Sequence, residues 1–258
     1  MRESAEALAA TELAHKLNFR WVEGRELHQA SGSSRLGGAI FQPEDGGLDP
    51  VQLALGLANR GSFEIHQGTR VRGLEPYGDR LRLICEAGDT VAERVVLALN
   101  AYSPFLLPQL AAEVRPVRGQ MLATEPGERP LRGVWYIDEG FQYLRQLSDG
   151  TTVLGGCRGV AVEEEVGYVE SPTPRVQQAL DSFLQDYFPD LAHRPVARRW
   201  AGTMAFTPNG LPSIGEIPHL PGAYYAAGLG GHGLSLGFTL GRYLAQWLQG
   251  EEVGPFIG

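Results

Sequence analysis

The carboxyl-terminal stretch constrains the fold most. An apolar strand-like run, Ala223-Tyr224-Tyr225-Ala226-Ala227, leads through Gly228-Leu229-Gly230-Gly231-His232-Gly233 into a helix-like segment from Leu234 to Leu248. Gly228, Gly230 and Gly233 satisfy G-x-G-x-x-G between a strand and a helix, the setting in which backbone amides at a helix start hold an anionic group. A dinucleotide fingerprint also needs a second strand with an acidic residue about 20 residues further on. That count lands on Gly250, Glu251 and Glu252 in the final tail, so a nicotinamide-dinucleotide site is not expected. The alternative to a ligand site is a tightly packed strand-turn-helix corner.

Gly233, Gly237 and Gly241 recur every fourth residue and share one face of the helix. An interior glycine costs a helix about 1 kcal/mol relative to alanine, so the spacing predicts a close neighbour on the bare face. A membrane reading of this G-x-x-x-G pattern fails because Arg242, Gln246 and Gln249 interrupt a segment too short to span.

The 258 residues suffice for one large domain or two smaller ones, and 43% hydrophobic with 20% charged residues is ordinary globular composition. A net charge of -8 argues against a nucleic-acid partner. Cys85 and Cys157 stand alone without metal-ligand spacing, so neither a disulfide framework nor a metal site is expected, and a reducing, cytoplasmic location fits. The amino terminus carries acidic residues and lacks the apolar core of a secretory signal. Ser4 to Leu17 reads as a short helix with Ser4 as its cap.

Further along, Asp49-Pro50 provides an N-cap and a first-turn proline for a helix with Val51, Ala54, Leu55 and Ala58 on one face, closed by Gly61. Strands are expected at Phe63–His66, Thr69–Leu74 and Arg80–Cys85, and the continuously apolar Val95–Leu99 suits a strand buried on both faces. Asn100, directly after that run, stands either where an α/β sheet presents ligand contacts or as a plain Asn-capped turn. The middle third predicts an antiparallel sheet from Gly119–Thr124, Val134–Ile137, Phe141–Leu147 and Thr151–Gly155, with Ser148-Asp149-Gly150 as a hairpin turn. Thr173-Pro174 then opens a helix whose stripe of Val176, Leu180, Phe183, Leu184, Tyr187 and Phe188 reads as core, and Pro189 stops it.

Five segments in this order carry a family resemblance: Val95–Ala101; Arg115-Pro116-Val117-Arg118-Gly119-Gln120; Asp149-Gly150 with Leu154-Gly155-Gly156; Trp200-Ala201-Gly202 with Thr207–Gly215; and Ala226–Gly241. Together the chain resembles the FAD-dependent oxidoreductases of the D-amino-acid oxidase, glycine oxidase and sarcosine oxidase group. The resemblance implies an α+β fold, with an incomplete FAD-binding sheet, an α/β remnant, interleaved with an antiparallel-sheet substrate domain. Residues 1–44 and 105–204 would form the substrate-domain parts, and 45–104 and 205–258 the FAD-binding parts. The family's amino-terminal third, which holds the ADP half of FAD on its own glycine-rich turn, has no counterpart in this sequence. The chain alone would then bind FAD poorly.

By resemblance, Gly228, Gly230, Gly231, His232, Gly233 and Leu234 face the pyrimidine side of the flavin, Asn100 and Ala101 its middle, and Val71 the adenine. His232 also reads as an ordinary turn histidine. The implied chemistry is oxidation of a C–N bond in an amine or amino acid, by hydride transfer to flavin and without a catalytic dyad. Substrate candidates are Tyr143, Arg145 and Gln120, with Arg118 nearby; all also read as ordinary sheet or surface residues. Departures from the pattern are Met204 where the family presents a carboxylate-binding arginine, Ser235 where sarcosine oxidases carry a lysine, no flavin-linking cysteine near Ala201 or Gly202, and an apolar residue near Val153 in place of the oxygen-activating lysine. Two alternatives accompany this reading: a subunit of a hetero-oligomeric amino-acid dehydrogenase, whose partner polypeptide supplies the missing FAD-binding segment, and a relic that no longer binds flavin.

Overall fold

The computed structural model describes residues 18–251. The helix expected over Ser4–Leu17 lies outside them. In chain order the elements are β1 (Arg20–Val22), α1 (Gly24–Ser31), β2 (Ala39–Phe41), α2 (Pro50–Arg60), β3 (Val71–Tyr77), β4 (Arg80–Cys85), β5 (Thr90–Ala92), β6 (Val95–Leu97) and α3 (Ser103–Leu106). There follow β7 (Arg115–Thr124), β8 (Val134–Ile137), β9 (Gln142–Gln146), β10 (Thr152–Gly156), α4 (Pro174–Tyr187), α5 (Pro189–Ala192), β11 (Val196–Phe206), β12 (Ser213–Glu216), β13 (Ala223–Ala227) and α6 (Gly233–Leu248). Helices and largely antiparallel sheets are thus mixed along the chain, which divides into two compact units.

The first unit takes the residues up to Asp49, Gly119–Glu165 and Glu170–Gly202. Its sheet has the order β11-β7-β10-β9-β8, and β7–β10, β10–β9 and β9–β8 pair antiparallel. Alternation along the strands sends Leu122, Leu144 and Leu154 to one face, each at most 2% exposed. These leucines share a core with Val176, Leu180 and Leu184, which are spaced at i, i+4 and i+8 on α4. Each such buried side chain stabilises the unit by about 1.5–3 kcal/mol. Pro174 starts α4, and Phe188, 1% exposed, anchors its end before Pro189 opens α5.

A buried polar cluster ties this helix to β7. The Gln120 amide nitrogen donates to both oxygens of Glu165 at 2.9 Å and to the Thr173 hydroxyl at 2.8 Å. Its amide oxygen accepts from the Thr173 backbone N–H at 2.9 Å and from Gln177 at 3.1 Å. Thr173 therefore opens α4 with its hydroxyl engaged by Gln120 rather than capping the helix.

The second unit takes Pro50–Arg118, Val166–Val169 and the chain from Thr203 onward. It holds an antiparallel sheet, β3-β4-β5, with a bulge between Val71 and Gly73, and a mixed sheet, β12-β13-β6, in which β13 runs parallel to β6 and antiparallel to β12. Its core joins Leu81, Val95, Leu97, Leu107, Leu110, Ile217, Tyr225 and Ala227.

Several expectations change here. Phe63–His66 is not a strand; Phe63 and Ile65 stand exposed, and His66 and Glu64 pair with each other at 3.2 Å. In β6 Val95 and Leu97 are buried while Val96 is 39% exposed, although its register partner Tyr224 packs on Trp247 of α6, so the second face of the strand is covered only in part. Helix α2 forms where its cap and proline place it, yet none of its residues is buried. Val51 and Leu55 on the expected face are exposed, and so are Leu53 and Leu57 off it. Among the described residues the glycine face of α6 has no close neighbour either, since a Cβ at Gly237 or Gly241 would meet open space and one at Gly233 would meet only Leu229 of its own turn at 3.3 Å.

Candidate functional site

In the second unit the parallel strands β6 and β13 end side by side, and the two turns that follow are joined. The Gly228 amide donates to the side-chain oxygen of Asn100 at 3.0 Å. Asn100 reaches this position with φ +48°, a left-handed conformation that asparagine tolerates better than most residues. Ala101, fully buried beside it, accepts the Tyr168 hydroxyl on its carbonyl at 2.9 Å.

The glycines of the turn have separate reasons. Gly228 has φ +74°, and a Cβ there would lie 2.1 Å from the Thr207 methyl, so its own packing already requires glycine. Gly230 has φ +56°, and its amide donates to the Ala205 carbonyl at 2.9 Å. Gly231, at φ +82°, is exposed, and the nearest atom to a Cβ there is the Met204 sulfur at 3.4 Å.

Helix α6 starts directly after this turn. His232 occupies the N-cap position without a side-chain cap, and no acidic residue stands in the first turn. The His232 ring nitrogen Nδ1 bonds instead to the Gly230 carbonyl at 2.9 Å, and the Ser235 hydroxyl donates to the His232 carbonyl. The first amides of a helix have no intrahelical acceptor and carry the positive end of its dipole, roughly half a charge. Here Gly233 and Leu234 supply them, with Leu234 56% exposed. An uncapped helix start beside an exposed glycine fits a flat group with negative charge along one edge, which is the shape and polarity of a flavin's pyrimidine side.

Val71, the adenine candidate, opens β3 at its bulge in the other sheet of the unit, paired with Cys85. Arg118 is buried in this unit and donates to the Val169 carbonyl at 3.2 Å.

In the first unit the sheet face opposite α4 carries the substrate candidates. Register places Tyr136, Tyr143, Gly155 and Met121 in one row across β8, β9, β10 and β7. Gly155 makes room for the half-buried Tyr143 ring, since a Cβ there would lie 2.5 Å from the ring and 2.1 Å from the Met121 sulfur. The next row is Val134, Arg145, Val153 and Ala123. Arg145 donates to the Leu48 carbonyl at 2.6 Å, and Gly47 packs against Val134, so residues 47 and 48 lie over this row. Gln120 has no exposed surface, and its amide is wholly engaged in the cluster around Glu165, a placement that leaves it no face to offer a substrate. Sequence reasoning missed this role because the partners of Gln120 lie 45 to 57 residues away.

Among the described residues no helix is long and apolar enough to cross a membrane, and no group of three His, Cys, Asp or Glu side chains is placed to hold a metal ion.

Comparison with known proteins places this geometry in a family. The model of the FAD dependent oxidoreductase family called DAO matches residues 1–247. A glycine oxidase of Pseudomonas aeruginosa is 30% identical over 203 residues, which cover 78% of this chain and 54% of that protein. A D-amino acid dehydrogenase of Granulibacter bethesdensis is 31% identical over 196 residues, or 72% of this chain and 44% of that protein. The chain thus spans about half the length of these relatives. Among solved structures, a glycine oxidase from Bacillus cereus superposes with a TM-score of 0.82 at 18% identity, covering 98% of this chain and 70% of that one. An L-proline dehydrogenase from P. horikoshii gives 0.83 at 22%, covering 98% and 71%. The chain belongs to the DAO family of FAD-dependent oxidoreductases.

Proposed function

We propose that the chain carries the flavin-ring side and the substrate side of an oxidoreductase that oxidises the C–N bond of an amine or amino acid. In this reading the second unit is the FAD-binding part and the first unit the substrate-binding part, interleaved along the chain. The observation that carries it is the uncapped start of α6 beside Gly231, held by the Asn100–Gly228 hydrogen bond. Gly230, Gly231, His232, Gly233 and Leu234 would line the pyrimidine edge, Asn100 and Ala101 the middle of the ring, and Val71 the adenine. Bound FAD supplies the hydride acceptor. The chain's own residues would bind and orient: the helix-start amides would lie at the ring edge that carries negative charge, and the Tyr143 face would hold the amine compound. No acid–base pair is required when the substrate amine is neutral.

The test is an FAD titration of the purified chain followed by fluorescence, then anaerobic addition of glycine, a D-amino acid or L-proline while visible flavin absorbance is recorded. Binding with bleaching by one of these supports the reading. A folded chain that takes up no FAD, alone or with a co-purified polypeptide, sinks it.

A second reading, a subunit whose partner polypeptide completes the FAD-binding part, is favoured by one specific surface. Helix α2 leaves Val51, Leu53, Leu55 and Leu57 exposed, with a polar strip that includes Gln52 and Asn59, and β6 is an edge of its sheet among the described residues. Exposed large apolar side chains on a helix and an open sheet edge are features that further polypeptide ordinarily covers. FAD binding that appears only with a second polypeptide would select this reading.

A further inference from the structure

Arg145 is a cation in an otherwise apolar row, between Val134 on one side and Val153 and Ala123 on the other. Its guanidinium engages the segment of residues 42–49 that joins β2 to α2, where Nη1 donates to the Leu48 carbonyl at 2.6 Å. A second contact seats the same segment. A Cβ at Gly47 would lie 2.7 Å from a Val134 methyl and 3.6 Å from Nη1 of Arg145, so the backbone passes against the sheet where a side chain would not fit. Gly46, one residue earlier, is exposed with open space where a Cβ would stand, which puts a permissive backbone position directly beside the seat. The start of the segment is less well satisfied. The Gln42 side-chain oxygen is buried and, among the described residues, accepts no hydrogen bond, and the turn that Gln42 opens is closed by a long bond from the Asp45 amide at 3.4 Å. A buried acceptor without a donor counts against the seated position and is relieved when the segment moves and water reaches it. The segment is thus latched at one end and stranded at the other, which is the balance of an element with two positions.

Val134 and Arg145 stand two residues from Tyr136 and Tyr143 along their strands, which sets the two rows about 7 Å apart on one sheet face. The seated segment is therefore a side wall for whatever lies on the Tyr143 row, and Leu48, 42% exposed, belongs to that wall. We propose that residues 42–49 form a movable strap over the substrate face, that Arg145 is the positioning residue that holds it down, and that the seated strap limits the size of the amine compound the Tyr143 row accepts. The proposal rests on the amine or amino-acid oxidoreductase reading, and it gives Arg145 a role through the strap in place of direct contact with substrate. Seated, the strap suits a short amine; released, it admits a longer one.

The test closes the strap chemically. Gly47→Cys with Val134→Cys, in the full chain carrying Cys85→Ser, removes the opposing methyl and brings two thiols within reach of a disulfide, whose Cβ atoms sit about 3.8 Å apart. Oxidised glutathione should form the cross-link readily, and about threefold to tenfold more slowly once Arg145→Met is added. Arg145→Lys in its place should recover part of the rate, since an ammonium can still donate to the Leu48 carbonyl. Propylamine and phenethylamine, titrated by NMR against the tyrosine ring signals, are the short and long probes. Cross-linking should weaken phenethylamine by about fivefold or more and leave propylamine unchanged, and reducing the disulfide should reverse the effect. Arg145→Met should favour phenethylamine over propylamine while keeping the thermal melt. Cross-linking rates independent of Arg145 overturn the latch. Equal effects on both amines, or none on either, overturn the size limit, as does an Arg145→Met variant that weakens the two probes alike, the signature of direct contact. A chain that binds neither amine in any form overturns the size limit and the substrate reading together. An FAD titration of the same samples separates the remaining layers. Strap-dependent choice between the amines without FAD uptake keeps the strap and sinks the flavin reading, whereas FAD uptake with amine binding that the cross-link leaves unchanged sinks only the strap.

Discussion

The side-chain oxygen of Asn100 accepts the Gly228 amide at 3.0 Å, across 128 residues of sequence. That single bond joins the turn after β6 to the turn after β13, and so fixes where α6 begins. Asn100→Ala should lower stability by about 1–3 kcal/mol, since it strands a partly buried amide and puts a Cβ residue without a local polar partner at φ +48°. Asn100→Gly keeps the backbone conformation and loses only the bond, so its smaller loss in a urea melt would separate strain from hydrogen bonding.

Gly228 and Gly231 should behave oppositely although both have positive φ. Gly228→Ala drives a methyl into Thr207 and is expected to destabilise the chain by about 1–3 kcal/mol, with partial recovery in the double variant with Thr207→Ser, which removes the opposing methyl. Gly231→Val leaves the packing nearly intact, apart from about 1–2 kcal/mol of backbone strain, but places a branched side chain where the ring edge is proposed to lie. Its expected signature is a near-normal melt with FAD fluorescence quenching lost.

Gln120→Leu should cost about 2–4 kcal/mol, because the Glu165 carboxylate loses a donor to both of its oxygens in a dry interior and the Thr173 N–H loses its acceptor. A urea midpoint reads this directly. A variant as stable as the original, changed only in substrate affinity, would instead return Gln120 to the substrate site.

The Cys157 thiol is pushed up from near 9 to about 11, chiefly by burial, with a hydrogen bond to Gln142 acting the other way. The folded chain therefore holds this proton more tightly than the unfolded one. Stability from this group is fully present below pH 9 and is lost as the pH rises toward 11. At pH 8 iodoacetamide should label half-buried Cys85 well before buried Cys157, as peptide mass mapping would show.

Much of the framework could be read directly from residue order. Asp149 accepts the Thr151 amide on its side chain at 2.9 Å, and Gly150 takes φ +83°, so the hairpin stands where its turn residues predict. The stripe of α4 is core because its spacing matches the helical period. The turn between β13 and α6 follows from glycines at the junction of two strong local signals. What could not be read depends on distant partners. Apolar Val95–Leu99 suggests burial on two sides, but burial is conferred by whatever covers a strand, and Val96 stays 39% exposed between buried Val95 and Leu97. The long strand β11 carries Arg198, Arg199 and Trp200 together without period-two alternation, so its pattern does not announce a strand. Arg145 meets a carbonyl 97 residues earlier, a pairing that no local pattern encodes.

Gly155 touches no proposed ligand, yet its missing side chain sets how deeply the Tyr143 ring can lie against the sheet. Enlarging it to alanine would lift the ring and shift the Met121 sulfur without altering any contacting group. The floor of the aromatic row can thus be raised or lowered from beneath, through a residue that itself adds no side chain to the row.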